Sequence, residues 1–150
     1  MNDLAQFLRA RLDEDERIAR RACEAAQASW RLGEGYDDET VLWWPPEPRV
    51  AQKERELGLP VVSDVWRGQT IYGDGQGIAP HIARHDPARV LAEVDGKRRI
   101  VAYAEQRAAI KQGEDDSDWE NIQEMALDAV LRSLALAYAT HPDYRDTWRP

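Results

Sequence analysis

The sequence is poor in the residues that carry covalent chemistry. Its single cysteine, Cys23, can close no intramolecular disulfide, and its setting among alanines predicts a thiol that simply packs. The four serines, Ser29, Ser63, Ser117 and Ser133, include no G-x-S-x-G elbow, so a serine-nucleophile hydrolase is not expected. Gly73-Asp74-Gly75-Gln76-Gly77 lacks both the third glycine of a dinucleotide fingerprint and the lysine of a P-loop, and reads as a turn. The carboxylates are numerous but scattered, so no catalytic residue is assigned and an enzyme is not favoured. Long apolar runs are missing too. Nothing approaches the roughly 20 residues of a membrane span, and Met1-Asn2-Asp3-Leu4 lacks a signal-peptide pattern. A cytoplasmic protein is therefore expected. Basic residues are outnumbered 20 to 28, and the net charge of -8 repels phosphate backbones and anionic lipid, which disfavours nucleic acid and membranes as partners. Lys97-Arg98-Arg99 is a local exception, but three consecutive helical residues point in different directions and form no dense basic face.

What is present is enough for one core. In 150 residues, 43% hydrophobic and 32% charged, a single domain over 1–150 is expected, of the α+β class: predominantly helical, three main helices with a short antiparallel β insert. The first helix is predicted over 3–29, capped by Asp3 and carrying Leu4, Phe7, Leu8, Leu12, Ile18, Ala22, Ala26 and Trp30 on one stripe. The acidic run Asp13-Glu14-Asp15-Glu16 ahead of Arg17, Arg20 and Arg21 predicts an exposed face with i,i+4 pairing. A β-rich insert follows over 36–80, with a strand at Val41-Leu42-Trp43-Trp44 stopped by Pro45-Pro46, a hairpin of Val61–Trp66 with Thr70–Tyr72, and a short helix from Pro48 to Leu57 between them.

Asp86-Pro87 marks the start of a second helix over 87–112, with Val90, Leu91, Val94, Val101, Ala104 and Ala108 on its apolar face. Gly96 inside it predicts close approach by another backbone. Ser117-Asp118-Trp119-Glu120 has capping-box spacing, and the third helix is predicted over 118–140. Ile122, Met125, Ala126, Ala129, Val130, Leu134 and Ala137 form its stripe, widened by Leu127, Leu131, Leu136 and Tyr138, so its second half is expected to be the most buried element. The tail 141–150 is too aromatic for a solvated terminus and is expected to pack back onto the domain.

Two groups of residues are candidate sites. His81 and His85 have the i,i+4 spacing that sets two imidazoles on one helix face, and His141 would join them if the second and third helices form an antiparallel pair. That gives a metal or small-molecule site, with zinc or another divalent metal as cofactor; against it, each histidine also has a structural reading as cap, hydrogen-bonding partner or anchor. Without the metal no cofactor is expected. Of six tryptophans, Trp43, Trp44 and Trp66 concentrate in the insert, as a satellite core or as an interface for a protein partner or a second copy. The leading functional expectation is a non-catalytic protein-interaction or assembly module, with the histidine site as the alternative.

Three segments carry a resemblance: Asp3-Leu4-Ala5-Gln6-Phe7-Leu8-Arg9-Ala10-Arg11-Leu12-Asp13-Glu14-Asp15-Glu16, His81-Ile82-Ala83-Arg84-His85-Asp86-Pro87-Ala88-Arg89-Val90-Leu91-Ala92-Glu93-Val94, and the tail from His141 to Pro150. Together they resemble a family of small proteins, abundant in actinobacteria and their phages, known only as domain of unknown function 6221. The resemblance implies a bacterial or phage origin and transfers no site. Members often carry Gly-Pro-Trp near the end of the first helix and a cysteine before the last. Here Ala28-Ser29-Trp30 stands in the first place and no cysteine in the second.

Overall fold

In the computed structural model the residues described are 2–32, 40–43, 59–63, 65–66, 69–70, 78–110 and 118–150, with side chains described for 2–31, 80–110 and 121–150. They form α1 (Asn2–Ala26), five short strands β1 (Arg31–Leu32), β2 (Thr40–Trp43), β3 (Leu59–Ser63), β4 (Val65–Trp66) and β5 (Gln69–Thr70), then α2 (Ile78–Arg84), α3 (Pro87–Ile110) and α4 (Asp118–Ala135). Single 3-10 turns follow at Leu136–Tyr138 and Asp146–Trp148. The described chain is predominantly helical. It divides into two compact units, 1–16 with 93–150 and 17–92, so α1 and α3 each contribute residues to both.

In the first unit the core is built where the helical stripes were predicted. Leu4, Ala5, Phe7, Leu8 and Leu12 of α1, Val94, Val101 and Ala104 of α3, Leu131 and Ala135 of α4, and Trp148 of the tail are buried. Asp3 lies in the first turn of α1, not at its cap, and pairs with Arg145 of the tail at 2.8 Å. A carboxylate there also suits the positive end of the helix. The acidic run does more than face solvent: Asp13 and Glu16 both reach Arg98, at 2.5 and 2.6 Å, and Asp15 accepts a hydrogen bond from Tyr138 at 2.5 Å. These acids tie α1 to α3 and to the end of α4. The three adjacent cations do diverge as geometry requires, Lys97 to Glu93, Arg98 to Asp13 and Glu16, and Arg99 to Asp95.

The second unit shows why α1 stops at Ala26, short of residue 29. Gln27 adopts φ 62°, the left-handed conformation that commonly ends a helix, while its N–H still donates to the Cys23 carbonyl at 2.9 Å. The indole N–H of Trp30 then donates to the Ala26 carbonyl at 3.1 Å, satisfying one of the acceptors the helix end leaves open. Asp86 works on both sides of this junction. One carboxylate oxygen accepts from the Arg89 N–H at 2.9 Å, an N-cap bond to the third residue of α3, and the other accepts from the Trp30 N–H at 3.3 Å. The Ala88 N–H donates to the Ala28 carbonyl at 2.8 Å, so the end of α1 and the start of α3 share their open backbone groups.

Also in this unit, β1, β2 and β3 form an antiparallel sheet in that order, with Arg31 opposite Leu42 and Val41 opposite Val62. The register slips between Val41 and Leu42, where the partner passes from Val62 to Pro60 and leaves Val61 extra. Pro60 has no N–H to give, and it sits on an edge strand where that omission is tolerated. β4 and β5 pair antiparallel, Trp66 opposite Gln69, so the connection is the two residues 67–68 and Gln69 is strand, not loop as the spacing predicted. α2 lies against β1 and β2. Predominantly helical is the class the structure supports; the β insert of the expected α+β class, as a packed element of its own, stays a proposal. The predicted helix at 48–57, the glycine-rich turn at 73–77 and the capping serine, Ser117, lie outside the described residues.

Two predictions about burial are corrected. Gly96 has nothing within 4 Å of where a side chain would begin, so no backbone among the described residues approaches it. More consequentially, the stripe assigned to the inside of α4 lies outside. Ile122, Met125, Ala126, Ala129, Val130 and Ser133 are exposed, as are Leu136 and Ala137 just beyond, while Leu131 and Ala135 are fully buried and Leu127 and Leu134 half-buried. At about 100° per residue these eight positions occupy an arc of about 140° in which Ser133 is the one polar residue among them, and the exposed Asn121 lies about 40° beyond its edge. In the first unit Gln123 accepts from Arg107 of α3 at 2.9 Å and Arg132 donates to the Thr147 carbonyl of the tail, while Leu131 and Ala135 form the one narrow ridge that goes inward.

Candidate functional site

The sequence candidates fall in three places. His81 and His85 belong to the second unit; their rings, one helical turn apart, stand 4.4 Å centroid to centroid and both residues are exposed. The His85 N–H donates to the carbonyls of His81 and Ile82, each at 3.1 Å, closing α2. His141 belongs to the first unit. Among the described residues no group of three or more His, Cys, Asp or Glu side chains is placed to hold a metal ion. The side chains of Trp43, Trp44 and Trp66 lie outside the described residues; Trp43 and Trp66 are described as backbone in β2 and β4.

His141 sits in an aromatic cluster that composition hinted at and spacing did not resolve. Phe7, the chain's sole phenylalanine, meets Tyr138, His141, Tyr144 and Trp148 with centroid distances of 6.3, 5.8, 6.1 and 5.0 Å, three of the four edge-on. Arg11 lies 5.8 Å from the Phe7 centroid, pairs with Glu14 at 3.0 Å, and donates to Nε2 of His141. The other ring nitrogen, Nδ1, lies against Asp143, accepting from its backbone N–H at 3.1 Å with the carboxylate 3.9 Å away. Burial, and then the hydrogen bond to Asp15, push the Tyr138 phenol above its ordinary value, so it stays a neutral donor. The cluster fastens the tail: Arg132 donates to the Thr147 carbonyl at 2.5 Å while pairing with Asp128, and Arg145 covers the Trp148 ring at 5.2 Å.

Two open grooves flank the tail. One, of 530 Å³, lies between the first turn of α1, Ala108, Glu124 and Trp148; the other, of 300 Å³, between Gln6, Arg11 and Asp143. Their cations are engaged. Arg132 and Arg145 on the first are paired with Asp128 and Asp3, which removes the fixed positive charge an anionic ligand needs. Arg11 Nε and the Tyr144 hydroxyl are buried without a protein partner among the described residues. No nucleophile with an adjacent base lines either groove. Histidine, arginine and tyrosine are used here to hold the terminus.

Among the described residues, the outer arc of α4 between 122 and 136 is both exposed and uncharged. Ile122 is 57% exposed, Met125 74%, Val130 41% and Leu136 43%. On α3, Ile100, Tyr103 and Ile110 are exposed as well, on the same side of that helix as Gly96. Among the described residues no helix is long and apolar enough to cross a membrane. These features define a helical protein with a fastened C-terminus, no assembled catalytic group among the described residues and an uncovered apolar helix face. The chain belongs to the family of unknown function DUF6221, whose model matches residues 1–150. No curated protein and no solved structure matches it.

Proposed function

We propose that this protein is a non-catalytic interaction or assembly module of the cytoplasm, acting through a protein partner or a second copy and not through nucleic acid or a membrane surface. The observation that carries the reading is the outer arc of α4. A helix on a soluble surface ordinarily turns its charged residues outward, and this one turns outward Ile122, Met125, Ala126, Ala129 and Val130. An uncharged apolar surface is what the centre of a protein interface is made of. The β-rich insert with Trp43, Trp44 and Trp66 is proposed as a second contributor to the same activity, on the grounds of its aromatic content.

A photo-crosslinking residue placed at Met125 in the living cell tests the reading, with the same residue at the exposed polar position Arg99 as control. A discrete adduct from position 125 and none from position 99 is expected. No adduct from 125 sinks it. The alternative, a metal-binding protein, is favoured by the close pair of rings of His81 and His85. It expects a rise in melting temperature with added zinc that disappears in His85→Ala, with His141→Ala reporting whether the third imidazole takes part.

A further inference from the structure

We infer that the partner on the outer arc of α4 is a second copy of the same chain, packed antiparallel against it about a two-fold axis that passes beside Ala129. The inference rests on the interaction reading above and goes further by naming the occupant.

Three features of the arc select a copy over an unrelated protein. The first is area. At their exposures Ile122, Met125, Val130 and Leu136, with the alanines and Ser133 between them, offer roughly 500 Å² of accessible surface. Taken once, that is an ordinary patch; duplicated by a two-fold axis it is roughly 1,000 Å², the threshold for a specific interface. The second is charge. A chain with net charge -8 repels its own copy, and close approach needs a face free of acids. Between residues 122 and 136 this arc has no ionisable side chain, and the acid beside it, Asp128, is already paired with Arg132 at 2.5 Å.

The third is self-complementarity. In an antiparallel pair centred on residue 129, the axis sets Ala129 against its copy, Met125 against Ser133 of the other chain and Ile122 against Leu136. Large side chains meet a small one in the inner layers and each other at the ends, so the small residues let the helix axes approach at the centre and the large ones close the rim. Antiparallel helices also align their dipoles favourably. An isologous contact needs each residue to satisfy its symmetric counterpart, and this spacing does.

The test is sedimentation velocity on the full chain across a concentration series, with Met125→Glu and Ala129→Glu as interface variants and Gln106→Glu as a charge-matched control on the exposed side of α3. The wild type and Gln106→Glu are expected to dimerise with the same midpoint. Each interface variant should weaken association at least tenfold while keeping the wild-type circular dichroism, since both positions are solvent-facing in the single chain. Register is read separately by cysteine crosslinking in a Cys23→Ala background: Ala129→Cys should form an intermolecular disulfide on oxidation and Ile122→Cys alone should not, because the two-fold brings only residues near 129 within bonding distance of their own copies. A wild type that stays monomeric at the highest concentration overturns the second copy; a Met125 crosslink to a different protein in the same work would leave the interaction reading standing, and no crosslink at all would end both. Equal weakening by Gln106→Glu, or a disulfide from Ile122→Cys, overturns the proposed geometry.

Discussion

The C-terminal tail and the outer face of α4 both carry large apolar side chains, and these meet opposite fates. Trp148 is 9% exposed, held over Phe7 and beneath Arg145; Met125 is 74% exposed and touches nothing that fastens it. What separates them is the chemistry around the apolar atoms. The tail interleaves rings with groups that anchor a backbone, Arg132 to the Thr147 carbonyl, Arg145 to Asp3 and Tyr138 to Asp15. Between residues 122 and 136 the outer arc of α4 has only Ser133, whose hydroxyl is spent on the Ala129 carbonyl of its own helix at 2.8 Å. Hydrophobicity alone does not say which side of a helix is the inside; polar groups placed to secure a neighbour do.

The sharpest way to break that contrast is to delete both apolar groups in turn. Trp148→Ala should cost about 3–5 kcal/mol in urea denaturation, through lost burial and the cavity it leaves. Leu131 and Val130 are adjacent on α4, about 100° apart around its axis, at 0% and 41% exposure. Leu131→Ala is expected to cost about 2–5 kcal/mol, and Val130→Ala no more than about 0.5 kcal/mol at a dilution where the chain is monomeric. Comparable losses at the two positions would mean that the outer arc is covered within the chain. Gly96→Ala should raise stability by about 0.5–1 kcal/mol, since the helix gains propensity and the added methyl meets open space. A loss there would show that something does approach the glycine.

The smallest effect concerns pH. The Tyr138 phenol is raised in the folded state, so the folded chain holds that proton more tightly than the unfolded one. Its contribution is complete below the unfolded value of about 10 and is lost as pH rises towards the higher folded value. Urea midpoints of the wild type and Tyr138→Phe measured from pH 8 to 11 should therefore have a constant difference until about pH 10 and then draw together. A difference that stays constant throughout would mean that the tail is held without this hydrogen bond.

Much of the helical frame was legible. Val94, Val101 and Ala104 were read from periodicity as the inside of α3, and Leu4, Phe7, Leu8 and Leu12 as the inside of α1. The α1 stripe failed at Ile18, 63% exposed, because two turns on from Leu12 the inward position is Ala19, and a small residue in register outranks a large one out of it. Failure on α4 is of another kind. That helix has an apolar ridge on each side, and choosing between them requires knowing what packs against it, which comes from residues 1–16 and 141–150, far away in sequence. The same distance hid the Arg11 contact to His141, since no local spacing joins them. For His81 and His85 the pairing of the rings was legible from i,i+4 spacing, and their use is not a matter that spacing decides.

The placement of Phe7 among Tyr138, His141, Tyr144 and Trp148 sets a schedule for synthesis. Arg11 and His141 in this cluster are separated by 130 positions. At about 5–20 residues per second a ribosome takes on the order of ten seconds to travel that far, and throughout that time the apolar side of α1 is finished but has no tail to receive. The first unit can close only when the residues up to Trp148 have left the tunnel. Until then its earliest helix waits as an amphipathic strip in need of shelter, and a nascent chain stalled before Tyr138 has a fully formed α1 and nothing to cover Phe7.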